Sequence, residues 1–262
     1  MQDFKYNPNK PIIIGLAGKA ATGKTSVAEK IVPKAKVDSG GNGIVWDHIF
    51  FALPLYELAA IKKGVIGSRQ SVRQLYGIHD ALYDLFGNSP IGDVPPYEQM
   101  VSMVQTIQSM PIEPEGVKPR TFLQKAGDEC RSHDPDCFCK WAIRKANSLH
   151  MSYLRSLSED ADVSPFAVVV SDVRYLNEAK TILDQDNGIV VCYTASDEIR
   201  NQRMLGRDGR YMTEDQMNHP SELQIDDIAK ICNVVINTDD LTVEDQTLFT
   251  LDYVNSLVGT YA

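Results

Sequence analysis

An apolar run, PIII, leads into GLAGKAATGKTS (residues 15–26) and then into VAEKIV, and few folds admit that succession. The run reads as a buried parallel strand, and Thr25 to Val32 as a helix closed by Pro33. Between them Gly18, Gly23, Lys24 and Thr25 meet the spacing G-x-x-x-x-G-K-S/T. Glycines let the backbone curl so that several N–H groups face one anion, and the next helix adds its positive N-terminal end. The expected cradle is Gly18, Ala20, Ala21, Thr22, Gly23, Lys24, Thr25 and Ser26. Lys24 would reach the β- and γ-phosphates of a nucleotide, and the Thr25 hydroxyl would ligate Mg²⁺. A chance match in a glycine-rich loop is the alternative; the strand before and the helix after argue against it.

The rest of the chain alternates. GIVWDHIF reads as a strand and ALPLYELAAIKK as a helix. Residues 64–120 differ: many Gly and Pro, two weak helices (about 70–86 and 97–109) and the tail PIEPEGVKP, together an insertion or flap. Helices are expected over Arg120 to Cys130 and Asp136 to Ser158, then the strand PFAVVVSD and a helix over Tyr175 to Gln185. GIVVCYT, a helix over Asp197 to Leu205, NVVINT and a helix over Val243 to Leu257 complete the series. Such alternation argues a parallel sheet covered on both faces, a three-layer α/β fold. We expect one domain over 1–262, with its core at about 11–63 and 121–262. Ligands of such sheets sit at the carboxyl ends of strands, so the loops after Leu16, Trp46, Ser171 and Thr194 should share a cleft.

Two further stretches bear on chemistry. In VVVSDVRYLNEA (168–179) a strand ends at Asp172, which suits a carboxylate turned toward Mg²⁺ through water. Asp172 could equally cap the next helix. Arg174 and Glu178 follow in the loop and helix. In RNQRMLGRDGR (200–210), Arg200, Arg203 and Arg207 recur at spacings of three and four and can share one helical face. Arginines there, with Arg210, could neutralise a phosphoryl group in transit, or form only a solvated basic face. Arg131 could clamp an acceptor phosphate or make a surface salt bridge. Cys130, His133, Cys137 and Cys139 crowd one stretch, but C-x2-H-x3-C-x-C matches no common zinc finger or ribbon, and buried thiols are the better account. Trp46, Phe50 and Phe51 read as core before they read as a stacking platform.

Composition sets the outer limits. A formal charge of −9 over 262 residues is unlike a general nucleic-acid binder, so anions must be held by local basic groups. Apolar runs are too short to span a membrane, and the polar start MQDFKYNPNK suggests no secretory leader. Five cysteines, an odd number, suit reduced thiols in a cytoplasm, a host's if the chain is viral. The oligomeric state stays open, a homodimer included.

GKAATGKTS after the first strand, FALPL after the second, LQKAGDECR in the middle and VVVSDVRYLNEA on a later strand resemble the deoxynucleoside monophosphate kinases of phage type. These belong to the P-loop kinase fold shared with adenylate kinase and dephospho-CoA kinase. The arginine-rich stretch, about 203–215, resembles the lid of nucleotide kinases. The resemblance implies that Lys24, Thr25 and Asp172 serve ATP and Mg²⁺, while Arg131 and Arg174 serve the acceptor, a deoxynucleoside monophosphate. Asp47, ending the second strand, and Glu178 would lie on the acceptor side, and Arg203 and Arg207 would close over the transferred group. The chain departs from the family at Gly127-Asp128-Glu129, where Gly-Thr-Glu is usual, and at Leu53, where an acid often precedes the proline. Another small-molecule kinase, such as a dephospho-CoA kinase, is the runner-up. A P-loop switch or motor is the reading from another class, disfavoured because no Asn-Lys-x-Asp follows the loop and Val173 follows Asp172.

Overall fold

The computed structural model describes residues 6–38, 43–64, 68–87, 94–158, 161–209 and 211–259. The chain divides into two compact units: Met1–Phe50 with Ile143–Ala262, and Phe51–Ala142.

The first unit is built on β1 (Ile12–Gly18), β2 (Val45–Ile49), β3 (Phe166–Val173), β4 (Gly188–Thr194) and β5 (Val234–Asn237). They form one all-parallel sheet in the order β2-β3-β1-β4-β5. The three central strands are nearly unbroken apolar runs because helices cover both of their faces. On one face Ile12, Ile14 and Leu16 pack with Val27 and Ile31 of α1 (Lys24–Asp38) and Val254 of α12 (Val243–Gly259). On the other, a Cβ added at Gly15 would come within 2.7 Å of Ile182 Cδ1 of α7 (Leu176–Leu183), so the missing side chain lets that helix sit close. This is the expected three-layer α/β arrangement. Trp46 is buried in the α1 side of the core.

Helix α1 runs past Pro33 to Asp38. An interior proline removes one backbone bond and crowds the preceding turn, but packing of α1 against β2 and α12 holds the helix. The expected turn DSGGNG lies mostly outside the described residues. Between α8 (Asp197–Asp208) and β5 the chain forms three short helices that the sequence reading left blank: α9 (Glu214–Met217), α10 (Pro220–Leu223) and α11 (Ile225–Ile231).

The second unit contains α2 (Leu53–Lys63), α3 (Ser68–Phe86), α4 (Tyr97–Ser109), α5 (Arg120–His133) and the start of α6 (Cys137–Ser156). Pro54 sits in the first turn of α2, where a missing N–H leaves nothing unpaired. The two weak helices expected within 64–120 are full ones. Ile78, Leu82 and Leu85 line one and Met100, Met103, Val104 and Ile107 the other, at helical spacing. Lys62 Nζ donates to the carbonyls of Ile107, Gln108 and Met110 at 3.0, 2.8 and 2.5 Å, closing the C-terminus of α4. Among the described residues no helix is long and apolar enough to cross a membrane.

Candidate active site

A parallel sheet delivers all its carboxyl ends to one edge, and β1 ends there in the glycine-rich loop. Gly18 has φ +151°, and a Cβ on it would stand 2.5 Å from the Tyr193 carbonyl oxygen and 2.7 Å from Thr22 Oγ1. Gly23 has φ +102°, and its Cβ would meet Gln246 Oε1 at 2.4 Å. No other residue type fits either place without moving the loop. Ala21, at φ +63°, is the one non-glycine with positive φ among the described residues, so the loop also stores some strain. The Thr22 hydroxyl donates to the Lys19 carbonyl at 3.0 Å and braces the curl from within. Val27 N–H donates to Gly23 O at 3.0 Å and begins the ladder of α1. The amides of Lys24, Thr25 and Ser26 precede that first bond and have no acceptor one turn back inside the helix. Thr25 and Ser26 are exposed.

Lys24 is sunk under this loop, only 5% exposed, with Nζ donating to the carbonyls of Gly18 at 2.5 Å and Lys19 at 2.9 Å. Burial pulls its pKa well below the usual lysine range, and the Arg174 guanidinium adds to the fall; Glu222 and Asp172 oppose it. Arg174, Glu222 and Asp172 therefore each lie within electrostatic reach of Lys24. A polyphosphate would bring the negative charge that favours the ammonium form.

Asp172 is half-buried near the end of β3. It follows Ser171, whose hydroxyl is 2.7 Å from His48 Nε2 on the neighbouring strand β2. Burial lowers the His48 pKa, while Asp172, Glu29 and Asp47 raise it. Asp47, expected to end the second strand, is instead the middle residue of β2, paired with Val168, because the strand runs on to Ile49; its Oδ1 accepts the His48 backbone N–H at 2.7 Å.

The turn after β3 is held by two glutamates. Glu178, 2% exposed, accepts the backbone N–H of Arg174 at 2.8 Å and of Tyr175 at 3.0 Å through Oε2. Through this oxygen it caps the start of α7. Glu222 of α10, 5% exposed, accepts from Arg174 Nη1, from Arg200 Nη2 at 3.3 Å and from the Ala20 N–H of the loop at 2.9 Å. Arg200 also donates through Nε to the Ala20 carbonyl at 3.0 Å and through Nη1 to Asp197 at 2.7 Å. Gln224 Oε1 accepts the Leu176 N–H at 2.8 Å. Lys19 Nζ pairs with Asp226 at 3.0 Å. The stretch from Glu222 to Asp226 thus touches both the glycine-rich loop and the β3–α7 turn.

Helix α8 starts with Ser196 Oγ accepting the Ile199 N–H at 3.4 Å and ends at Gly209, φ +66°. Arg203 donates to Thr238 O at 2.5 Å, to Thr238 Oγ1 at 3.1 Å and to the Ala21 carbonyl at 3.5 Å, which ties it to the back of the loop. Arg207 is exposed in the last turn of α8. Arg210 lies outside the described residues.

No protein-family model matches the chain, and no curated protein does. Solved structures do resemble it. A gluconokinase from Sinorhizobium meliloti 1021 shares 15% identity over 97% of this chain and 97% of its own, with a TM-score of 0.38. A dephospho-CoA kinase from Campylobacter jejuni shares 12% over 95% and 99%, with a TM-score of 0.41. A protein from Thermus thermophilus shares 16% over 93% and 98%, also at 0.41. Likeness at this level carries nothing about the chemistry, which rests on the residues.

In the second unit Arg131 lies over the Phe138 ring, 4.7 Å from its centroid, and against the bare face of Gly127, where an added Cβ would stand 2.9 Å from Arg131 Nη1. Gly127 is thus a seat for that guanidinium. Phe51 is buried there, and Phe50 is half-buried in the first unit. Cys130, Cys137 and Cys139 are buried, and His133 sits 3.3 Å from Glu129. Burial pushes the Cys130 thiol up to about 12 and raises Cys137 as well, so both stay protonated.

Glu222 and Gln224 are the residues that sequence reasoning missed. HPSEL does carry a helix-start signal, proline at the first position with an acid behind it. Nothing in that signal says that the acid meets an amide 202 residues earlier in the chain.

Proposed function

We propose that the protein transfers the γ-phosphoryl group of ATP to the phosphate of a deoxynucleoside monophosphate. The observation that carries this reading is the sunken Lys24 under a glycine-shaped loop, with Asp172 of the neighbouring strand β3 and Arg174 of the turn after it in electrostatic reach. The loop amides and the N-terminus of α1 would bind the polyphosphate, with Lys24 between its β and γ groups. In the reaction the bond from γ phosphorus to the β-bridging oxygen breaks, and a bond to an acceptor phosphate oxygen forms. That oxygen is already anionic, so no residue need remove a proton. Catalysis is then positioning and charge neutralisation. Arg174 would hold the acceptor phosphate, Asp47 its sugar or base, and Arg203 and Arg207 would neutralise the group in transit.

The residues fit Mg²⁺. Thr25 offers an exposed hydroxyl in the first turn of α1 and Asp172 a half-buried carboxylate. No group of three or more His, Cys, Asp or Glu among the described residues could cage a metal. Magnesium shared with a nucleotide takes only one or two protein oxygens. When bound it would supply charge neutralisation at the β and γ groups.

The test is ATP turnover against a panel of deoxynucleoside monophosphates, with dephospho-CoA as a hydroxyl acceptor. Diphosphate formed from one monophosphate, with little ATP lost in its absence, supports the reading. Transfer to dephospho-CoA alone makes this a hydroxyl kinase. Fast ATP loss without any acceptor makes it a P-loop ATPase.

A further inference from the structure

Glu222 has no part in the transfer just described, yet its carboxylate is heavily engaged beside the loop. It is 5% exposed and takes hydrogen bonds from a loop amide and from two guanidinium groups. Two roles fit such a group. It could stand where a phosphate goes and leave when nucleotide arrives, or it could stay and hold the arginines. Leaving would strand a buried carboxylate and also free the Ala20 amide and Arg200, so the first role is disfavoured. Staying is consistent with its neighbours. Arg200 is fixed independently by the Ala20 carbonyl and by Asp197. Arg174 has its backbone N–H fixed by Glu178, while its guanidinium, 30% exposed at the side chain, is fixed by Glu222. Gln224 anchors the same stretch to the first amide of α7. Arg174 is therefore held at both ends by carboxylates from different helices, with its side chain still partly exposed.

We propose that Glu222 is a positioning residue for phosphoryl transfer: it fixes the Arg174 guanidinium beside Lys24, and acts on the reaction through Arg174 alone. This rests on the reading of Arg174 as the holder of the acceptor phosphate. A five-donor fork is useful only if its free N–H groups point one way, and a carboxylate that takes one edge of the fork sets where the other edge points. A neutral amide in its place offers one uncharged acceptor and holds the fork less firmly.

The experiment is a double-mutant cycle on the full chain with Glu222→Gln, Arg174→Gln and the pair, read as kcat/KM for the acceptor and as the Kd of MgATP. Glu222→Gln should lower kcat/KM for the acceptor by about 10- to 100-fold while the MgATP Kd stays within about threefold. The double variant should be no worse than Arg174→Gln, since Glu222 then has nothing left to position. Multiplying losses in the pair, or a fall in MgATP affinity as large as that in kcat/KM, would make Glu222 a prop for the loop and overturn the proposal. Glu222→Asp keeps the charge and draws the carboxylate back by one methylene. It serves if the Gln variant does not fold: an acceptor loss without an ATP loss is expected, and a wild-type profile overturns the proposal. If the wild type binds MgATP but phosphorylates no monophosphate, the acceptor reading falls. The link is then read from slow single-turnover hydrolysis of ATP, which both single variants and the pair should lower by one common factor; unequal, multiplying factors overturn it.

Discussion

The loop at Gly18 to Ser26 and the helical stretch at 214–231 meet at the Ala20 amide, which Glu222 accepts, and at Lys19, which pairs with Asp226, and are held in shape by different means. The loop is a backbone object. Two glycines and an alanine, all with positive φ, give it its curl. The stretch works by side chains: Glu222, Gln224 and Asp226 each reach a donor elsewhere in the chain. A backbone object fails when any Cβ intrudes. A set of side-chain contacts fails in proportion to how buried each one is, so the two regions should answer substitution on different scales.

The largest effect belongs to the loop. Lys24→Met should lower kcat by about 10²- to 10³-fold or more, the cost of removing a preorganised charge from the transferred group. The circular dichroism spectrum should stay native, because the two carbonyls that Lys24 now caps lie in an already curled segment. Near-normal transfer by a folded variant would remove the loop from the reaction altogether.

Gly18→Ala probes the loop as backbone. The new methyl would stand 2.5 Å from the Tyr193 carbonyl at a φ of +151°. Backbone strain of this kind costs about 1–3 kcal/mol, so MgATP affinity should fall by about tenfold or more along with a lower Tm. Calorimetric titration together with a thermal melt reads both. Unchanged affinity would mean that the close approach to β4 is not what shapes the cradle.

The same contrast explains which parts of the molecule could be read from the chain. Strands β1, β3 and β4 were legible because two-sided burial demands continuous apolar runs, and IIIGLAG, FAVVVSDV and GIVVCYT are such runs. The loop was legible because its glycine spacing is its mechanism. The Gly and Pro content of 64–120 suggests weak helices, but apart from Gly77 inside α3 those residues lie outside the two helices, while Leu82, Met103 and Ile107 supply full inner faces. Helices α9 to α11 were invisible: runs of 4, 4 and 7 residues show too little of the 3.6-residue period to register. With them went Glu222, and so the partner of Arg174. Glu178 was placed in the right turn, but its use as a cap depends on its burial, which a pattern of letters does not contain.

His48 tests a third kind of holding, a half-buried titratable group. An unfolded chain protonates this histidine near pH 6.5, whereas burial keeps the folded one neutral to lower pH. Its contribution to stability is complete above about pH 6.5. It is lost as pH falls toward the folded pKa, because the unfolded chain takes up the proton first. Tm should fall between pH 7 and pH 5.5 more in the wild type than in His48→Gln, whose amide can still meet the Ser171 hydroxyl. His150, also lowered by burial, stays in both and cancels. Parallel pH profiles would assign the acid sensitivity to other groups.

The smallest effect is expected from Asp226, in the same stretch as Glu222. Its carboxylate meets Lys19 Nζ at 3.0 Å, but the two side chains are 71% and 31% exposed. Water and salt screen such a pair, and an exposed ion pair contributes about 0.2–1 kcal/mol. Asp226→Asn should therefore shift Tm by no more than about 2–4 °C and move the KM for ATP by less than about twofold. Added salt should shrink even that difference, since the wild-type pair is weakened while the variant has none to lose. Glu222 lies four residues away and contacts the same loop, so distance from the site does not separate the two acids; burial does. Were Asp226→Asn to match Glu222→Gln in its effect on acceptor kcat/KM, the stretch would have to hold the loop as one body. The contrast between graded side-chain contacts and an all-or-none backbone would then fail at the place where the two regions touch.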